Sequence, residues 1–174
     1  MSDPRIPTLA GGRVRLRPAV SADGARLTEI LADDGVAQWW GTWDIDRVQR
    51  ELIGCDDGTV VIAIEADAQV IGAITYLEEN EPEYRHASLD IFLHPDWHGR
   101  GLGADSIRVL SRHLITDRGH HRLTIDPAAH NHKAIRSYAS VGFRPVGVMR
   151  KYERGRDGTW HDGLLMDLLA DDLM

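Results

Sequence analysis

The residues Leu89-Asp90-Ile91-Phe92-Leu93-His94-Pro95-Asp96-Trp97-His98-Gly99-Arg100-Gly101-Leu102-Gly103 decide the fold. An apolar run leads, past Pro95, into a loop with glycine at every second position. A helical pattern follows over Leu102–Thr116, with Leu102, Ile107, Val109, Leu110, Leu114 and Ile115 on its apolar face. Glycines let backbone N–H groups come close to a ligand. The start of the helix adds unpaired N–H groups and the positive end of its dipole. A strand, a glycine loop and a helix in this order can therefore hold an anion, best a phosphate or pyrophosphate. Arg100 adds charge. The spacing is not that of the dinucleotide fingerprint, and no Lys-Ser or Lys-Thr follows as a P-loop requires. Taken alone, the glycines are equally consistent with a plain turn.

Around this segment strands and helices mix. Val14–Arg17 alternates as a strand, closed by Pro18, and Ser21 is placed to cap a helix to Ala32. Ile45–Ile53 forms a second helical stretch. Val60–Glu65 and Val70–Leu77 form a hairpin through Ala66–Gln69. Residues 78–84 are a polar, acidic loop, and His86–Leu93 is the next strand. Arg122–Ile125 is a short strand ending at Asp126-Pro127. Asn131 caps a helix from His132 to about Ser140, stopped by Gly142. Arg144–Arg150 and Gly163–Leu169 complete the set. The pattern predicts one α/β domain with a mixed sheet, residues 1–12 forming a flexible lead.

A second motif lies in Thr124 to Phe143. Asn131 and Tyr138 are seven apart, nearly two helical turns, so they share a face. The plain alternatives are a capping Asn and a core Tyr.

Together the two segments resemble the GNAT superfamily of acyl-CoA-dependent N-acyltransferases. The family's loop, Gln or Arg, any two, Gly, any one, Gly or Ala, aligns with His98-Gly99-Arg100-Gly101-Leu102-Gly103. His98 departs from the usual first residue. Asn131, Ala134, Tyr138, Gly142 and Phe143 match the family's later helix. The resemblance implies a mostly antiparallel, twisted sheet flanked by helices, with acetyl-CoA against splayed middle strands at Ile91, Phe92 and Leu93. It places the pyrophosphate on the loop and helix start, His98 to Ala104. It implies that Asn131 and Ala134 meet the cofactor and that Tyr138 protonates the departing thiolate.

On the acceptor side, Val36-Ala37-Gln38-Trp39-Trp40-Gly41 and Ile125-Asp126-Pro127 resemble aminoglycoside 6′-N-acetyltransferases. The resemblance implies a Trp-Trp-Gly turn shaping the cleft through Trp39 and Trp40. It implies that Asp126 binds substrate and that Asp90 sits near the attacked amine, with antibiotic resistance as the biological role. The chemistry is coherent, because a protonated amine must lose a proton before it can attack a thioester. Carboxylates also bind polycationic sugars through charge-assisted hydrogen bonds. Glu79 and Glu81, among the four glutamates of the acidic loop with Glu78 and Glu83, are further candidates. Direct attack in a ternary complex is expected, since acidic neighbours disfavour a Cys55 thiolate.

Composition excludes several classes. The 174 residues carry a net charge of −7, unlike a nucleic-acid binder. The acid excess lies in the first half. No apolar run is long enough for a membrane span. The start lacks the pattern of a secretory signal, and the single cysteine fits a reducing cytoplasm. The nine histidines lack metal-ligand spacing, so no metal is expected. The expected assembly is a monomer or homodimer. Competing readings are a GNAT enzyme for another amine (siderophore hydroxylysine, polyamine or protein N-terminus) and a non-catalytic CoA-binding protein.

Overall fold

The computed structural model describes residues 6–174. Eight strands form one sheet: β1 (Leu9–Ala10), β2 (Arg15–Pro18), β3 (Val60–Ala66), β4 (Gln69–Glu79), β5 (His86–Leu93), β6 (Arg122–Ile125), β7 (Arg144–Arg154) and β8 (Trp160–Leu169). Their order is β1-β2-β3-β4-β5-β6-β8-β7. Every pairing is antiparallel except β5 with β6. That exception follows from the connection. A helix, α4 (Leu102–Thr116), carries the chain back over the sheet, as parallel neighbours require.

The remaining helices are α1 (Gly24–Ala32), α2 (Asp34–Trp40), α3 (Ile45–Arg47, continued by a π-helical turn at Val48–Ile53) and α5 (His132–Ala139). They divide between the two faces of the sheet. Val60, Ile62 and Ile64 of β3 join α4 and α5 in the larger core, while Val61 joins α1 in the smaller one. Covered on both faces, β3 is an unbroken apolar run. The β3–β4 hairpin turns on Asp67 and Ala68, both at positive φ, the conformation a two-residue hairpin loop needs.

Several expectations are corrected. Ser21 is not a helix cap. It begins a 3-10 turn to Asp23, and the buried Asp23 carboxylate accepts two 2.8 Å hydrogen bonds from Arg17 and one from the Val20 N–H. Trp39 and Trp40 end helix α2, which Asp33 caps at the Gly35 N–H. Glu78 and Glu79 belong to β4 rather than to a loop. The last hairpin runs further toward its turn than expected, β7 to Arg154 and β8 from Trp160. Of the lead 1–12, residues 1–5 lie outside the described residues. Beyond them Ile6 is 3% exposed and Leu9–Ala10 pairs with β2, because these apolar side chains have a core to join.

The feature that positions the site is a gap in the sheet. β5 and β6 pair only at Ala87–Leu123 and Ser88–Thr124. β5 then runs on through Leu89–Leu93 with no partner on that side, and β6 ends at Ile125. The strands diverge into a wedge open to both faces.

Candidate active site

On the α4 face the wedge meets the glycine loop. Gly99 and Gly101 have φ of 71° and 76°, the left-handed region that glycine enters without strain. The first hydrogen bond of α4 runs from the Asp105 N–H to the Gly101 carbonyl. The N–H groups of Leu102, Gly103 and Ala104 precede it and have no acceptor among the described residues. His98 closes the loop, its Nε2 donating to the Leu93 carbonyl at 2.9 Å. That bond accounts for a histidine where a longer polar residue is usual. Arg100 lies over the Trp97 ring at 4.9 Å. Arg13 was not anticipated from the sequence. Its backbone N–H is held by Asp105, and its guanidinium donates to the Arg100 carbonyl, bringing a second cation to the loop.

These features fit the phosphates of a CoA thioester. The unpaired N–H groups suit pyrophosphate, and the free edge of β5 at Leu89–Leu93 suits an amide-bearing arm. Phe92 points the other way, into the smaller core.

Helix α5 reaches the wedge from the same face. Asn131 Oδ1 caps it at the Ala134 N–H (3.2 Å), leaving the amide nitrogen for a ligand. Tyr138 is 7% exposed. Burial, with the charges of Asp90 and Asp126, holds its hydroxyl protonated well above the ordinary phenol range.

On the opposite face a cleft of about 390 Å³ lies at the wedge, lined by Asp90, Asp126, Tyr152, Thr75, Ser88 and Met149 among others. Ser88, Asp90 and Phe92 alternate onto this face of β5. Water reaches Asp90 through the open cleft, yet protein crowds it closely. Desolvation pushes its carboxyl up to about 7, and Asp126 and Glu153 add negative charge, while the Ile91 N–H opposes the shift. Asp126 accepts a short hydrogen bond from the Tyr152 hydroxyl.

Tyr152 and Glu153 escaped the sequence reading because a bulge aims them. The register of β7 against β8 shifts between Met149 and Glu153, and Lys151 takes φ 50°. The Lys151 N–H donates to Asp162 Oδ1 at 2.8 Å. Gly163 leaves room for the Tyr152 ring, which would lie 2.7 Å from a Cβ there. Only the glycine at 163 hinted at this in the sequence.

Trp39 stacks near His130, ring centres 5.0 Å apart, beside the cleft. Trp40 packs edge-on against Phe92 at 4.8 Å in the smaller core, not in the cleft. Glu79 and Glu81 are likewise not brought to it. Glu79 pairs with His86, four residues along β5 from Asp90. Glu78 is tied to Arg118 (2.7 Å) and His120 (2.8 Å). The Cys55 thiol donates to the Leu52 and Thr59 carbonyls and does not itself line the cleft. Among the described residues no three His, Cys, Asp or Glu side chains could hold a metal ion, and no helix is long and apolar enough to cross a membrane.

Comparisons with known proteins bear on the family and the fold. An aminoglycoside N(6')-acetyltransferase type 1 of Klebsiella pneumoniae is 26% identical over 162 residues, covering 83% of this chain and 80% of the relative. The Mycobacterium smegmatis RimJ structure in complex with CoA-disulfide superposes with a TM-score of 0.84 at 23% identity, covering 99% of this chain and 92% of RimJ. AAC(6')-Ib, solved in complex with parmomycin and acetyl-CoA, gives 0.77 at 22% identity, covering 92% and 95%. The acetyltransferase (GNAT) domain model matches residues 13–144, and with the wedge, the glycine loop and Tyr138 in place the chain belongs to the GNAT acetyltransferase family.

Proposed function

We propose that the chain transfers an acetyl group from acetyl-CoA to a primary amine of an aminoglycoside, the 6′-amine. The observation that carries this reading is the convergence of Asp90 and Asp126 on one cleft, with Glu153 close enough to add its charge at Asp90 and the buried Tyr138 hydroxyl facing the two aspartates. A polycationic sugar complements that cluster. The 26% likeness to an aminoglycoside acetyltransferase supports the same acceptor.

The acetyl group reaches the acceptor through the wedge between β5 and β6. Asp90, with its carboxyl raised to about 7, is poised to take a proton from the ammonium near neutral pH. The amine lone pair attacks the thioester carbonyl carbon, and the C–S bond breaks. Tyr138 gives its proton to the thiolate, the acylated nitrogen loses its second proton through solvent to restore the Tyr138 hydroxyl, and Asp90 releases the first to bulk water. The reaction is one direct transfer in a ternary complex.

A second reading, acetylation of a peptide N-terminus, is favoured by one feature. Val146 and Val148 of β7 are 54% and 59% exposed on the edge strand of the sheet, where an extended peptide finds apolar contacts. Thiol release from acetyl-CoA, measured with an aminoglycoside, a polyamine, a hydroxylysine and an N-terminal peptide, separates the readings. Release with the aminoglycoside alone supports the first. Release with another amine, or with none, overturns it.

A further inference from the structure

A second cavity, of about 530 Å³, is lined by Ala129, His130, His132, Trp160, His161 and Asp162. It borders the cleft. Asp126 lines the cleft, and His130, four residues on, lines the second cavity. The segment between them is stitched to β8 by the Ala129 N–H to Asp162 carbonyl bond (2.8 Å) and the Leu164 N–H to Pro127 carbonyl bond (2.8 Å). Glu153 stands between the two spaces. It is the cross-strand partner of His161, and its carboxyl senses Asp126 on one side and His130 and His161 on the other. The cavity lies on the α2 face, since Trp39 of α2 packs on His130. The glycine loop lies on the α4 face, so this space is not the cofactor's.

Its surface has a specific chemistry. Trp39, His130 and His161 form a run of rings with centres 5.0 and 5.4 Å apart. Trp160 is 58% exposed, a large indole turned to solvent beside them. Indole faces pack on the C–H faces of saturated rings and attract ammonium groups. His161 Nε2 is held by Asp157 and Thr159 at 3.0–3.1 Å, so His130 and His132 offer the imidazole nitrogens for hydroxyls, while the second oxygen of Asp162 and the neighbouring Glu153 attract ammonium groups. A flat apolar ligand would leave these polar groups unmatched.

We propose that this cavity is a second acceptor subsite, holding a hydroxylated, amine-bearing ring of the molecule whose reactive amine lies at Asp90. This rests on the acceptor reading above. The four-residue span from Asp126 to His130 is at most about 14 Å, a distance for linked rings rather than one.

The test measures thiol release with neamine, which has two rings, and with 6-amino-6-deoxyglucose, which has one. Wild type, Trp160→Ala and Glu153→Gln are compared. The ratio of kcat/KM for neamine to that for the single ring should fall about tenfold in each variant, the scale of one lost charge-assisted or stacking contact. Circular dichroism and the KM for acetyl-CoA report whether each variant is folded. Trp160→Ala removes an exposed side chain and keeps the test open if Glu153→Gln misfolds. Turnover of neamine with an unchanged ratio in the folded variants overturns the subsite alone. So does a wild type that handles both amines equally. Turnover of neither amine by the wild type overturns the acceptor reading and the subsite together.

Discussion

The hydroxyl of Tyr152 donates a hydrogen bond to Asp126 Oδ2 across the mouth of the cleft, joining β7 to the end of β6 over 26 residues of chain. This bond fixes the carboxylate to which the proposed function assigns the cationic acceptor. It exists because the β7 bulge at Lys151 turns Tyr152 inward and Gly163 leaves room for its ring. Tyr152→Phe keeps the ring and removes the donor. The acceptor KM should rise about fivefold to tenfold, as expected for a bond to a charged group, with the KM for acetyl-CoA unchanged. Tyr152→Phe kinetics with both substrates varied make the check. A fall in kcat at constant acceptor KM would move Tyr152 out of the positioning role.

Asp90 ties activity to pH. In the proposed transfer its carboxyl, raised to about 7 chiefly by desolvation, must be ionised to accept the amine's proton. The kcat/KM should therefore rise with pH along a limb centred near 7. Asp90→Asn should lose that limb and about 10²-fold to 10⁴-fold of rate. The stability effect has the opposite sense. The folded state holds this proton more tightly than the unfolded chain, so wild-type stability falls as pH rises from about 4 to about 7. Asp90→Asn, uncharged throughout, should melt above wild type at pH 8 and approach it below pH 4. Thermal melts across pH test this, and parallel curves for the two proteins would contradict it.

Tyr138 offers a cleaner separation of chemistry from binding. It is buried, with the charges of Asp90 and Asp126 keeping the hydroxyl protonated. Tyr138→Phe retains the packing against Phe143, whose ring centre lies 6.5 Å away. Turnover should drop about 10²-fold, the low end for loss of a general acid, while CoA binds within about twofold of wild type. Steady-state rates and CoA titration calorimetry check the two halves. Undiminished turnover across pH would remove Tyr138 as the acid.

The glycine loop should fail in a different way. Gly101 stands at φ 76° and starts helix α4. Gly101→Ala meets only the tip of Arg13, 4.0 Å from the new carbon, so crowding does not decide the outcome. Strain in the left-handed region does, at about 1 kcal/mol, and the loop relaxes away from its N–H cradle. The dissociation constant for CoA should rise about tenfold, while that for pantetheine, which lacks the pyrophosphate, should not. Calorimetry with both ligands decides it.

The loop and helix of the candidate cofactor site were legible in the sequence as structure because their parts are local. A glycine loop opening a helix, and Asn131 with Tyr138 on one helix, are short-range patterns that survive without tertiary context. The acceptor half was only partly legible, because it is assembled across strands. Asp90 and Asp126 lie on neighbouring strands and were found by resemblance. Tyr152 and Glu153 needed the β7 bulge, and His130 and His161 needed a turn stitched to β8, none of which leaves a local periodicity. The acidic run misled for a related reason. Four glutamates within six positions suggest a substrate surface, but β4 runs through Glu79 and turns Glu78 onto Arg118 and His120.

Glu78 therefore belongs to stability. Its side chain is 9% exposed, and the Arg118 hydrogen bond holds its carboxyl down at about 2, against desolvation and with help from His120. The buried His120 has its own pKa lowered, chiefly by burial. A depressed carboxylate stabilises the fold above pH 4.5 and loses that contribution as pH falls toward 2. His120 adds a second loss as pH falls through 6.5, where the unfolded chain takes up a proton more readily. Glu78→Gln removes the charged partner of the two hydrogen bonds from Arg118. Because Arg118 is 36% exposed, the cost is discounted to about 2 kcal/mol, or about 4–8 °C in Tm at pH 7. The gap should narrow toward pH 3, where the wild-type carboxylate is itself being lost. The acceptor KM should stay at the wild-type value, since Glu78 faces away from the cleft toward the Arg118 loop. Melts at pH 7 and pH 3, with kinetics on the same samples, test both parts. A raised acceptor KM with an unchanged Tm would return Glu78 to the substrate side.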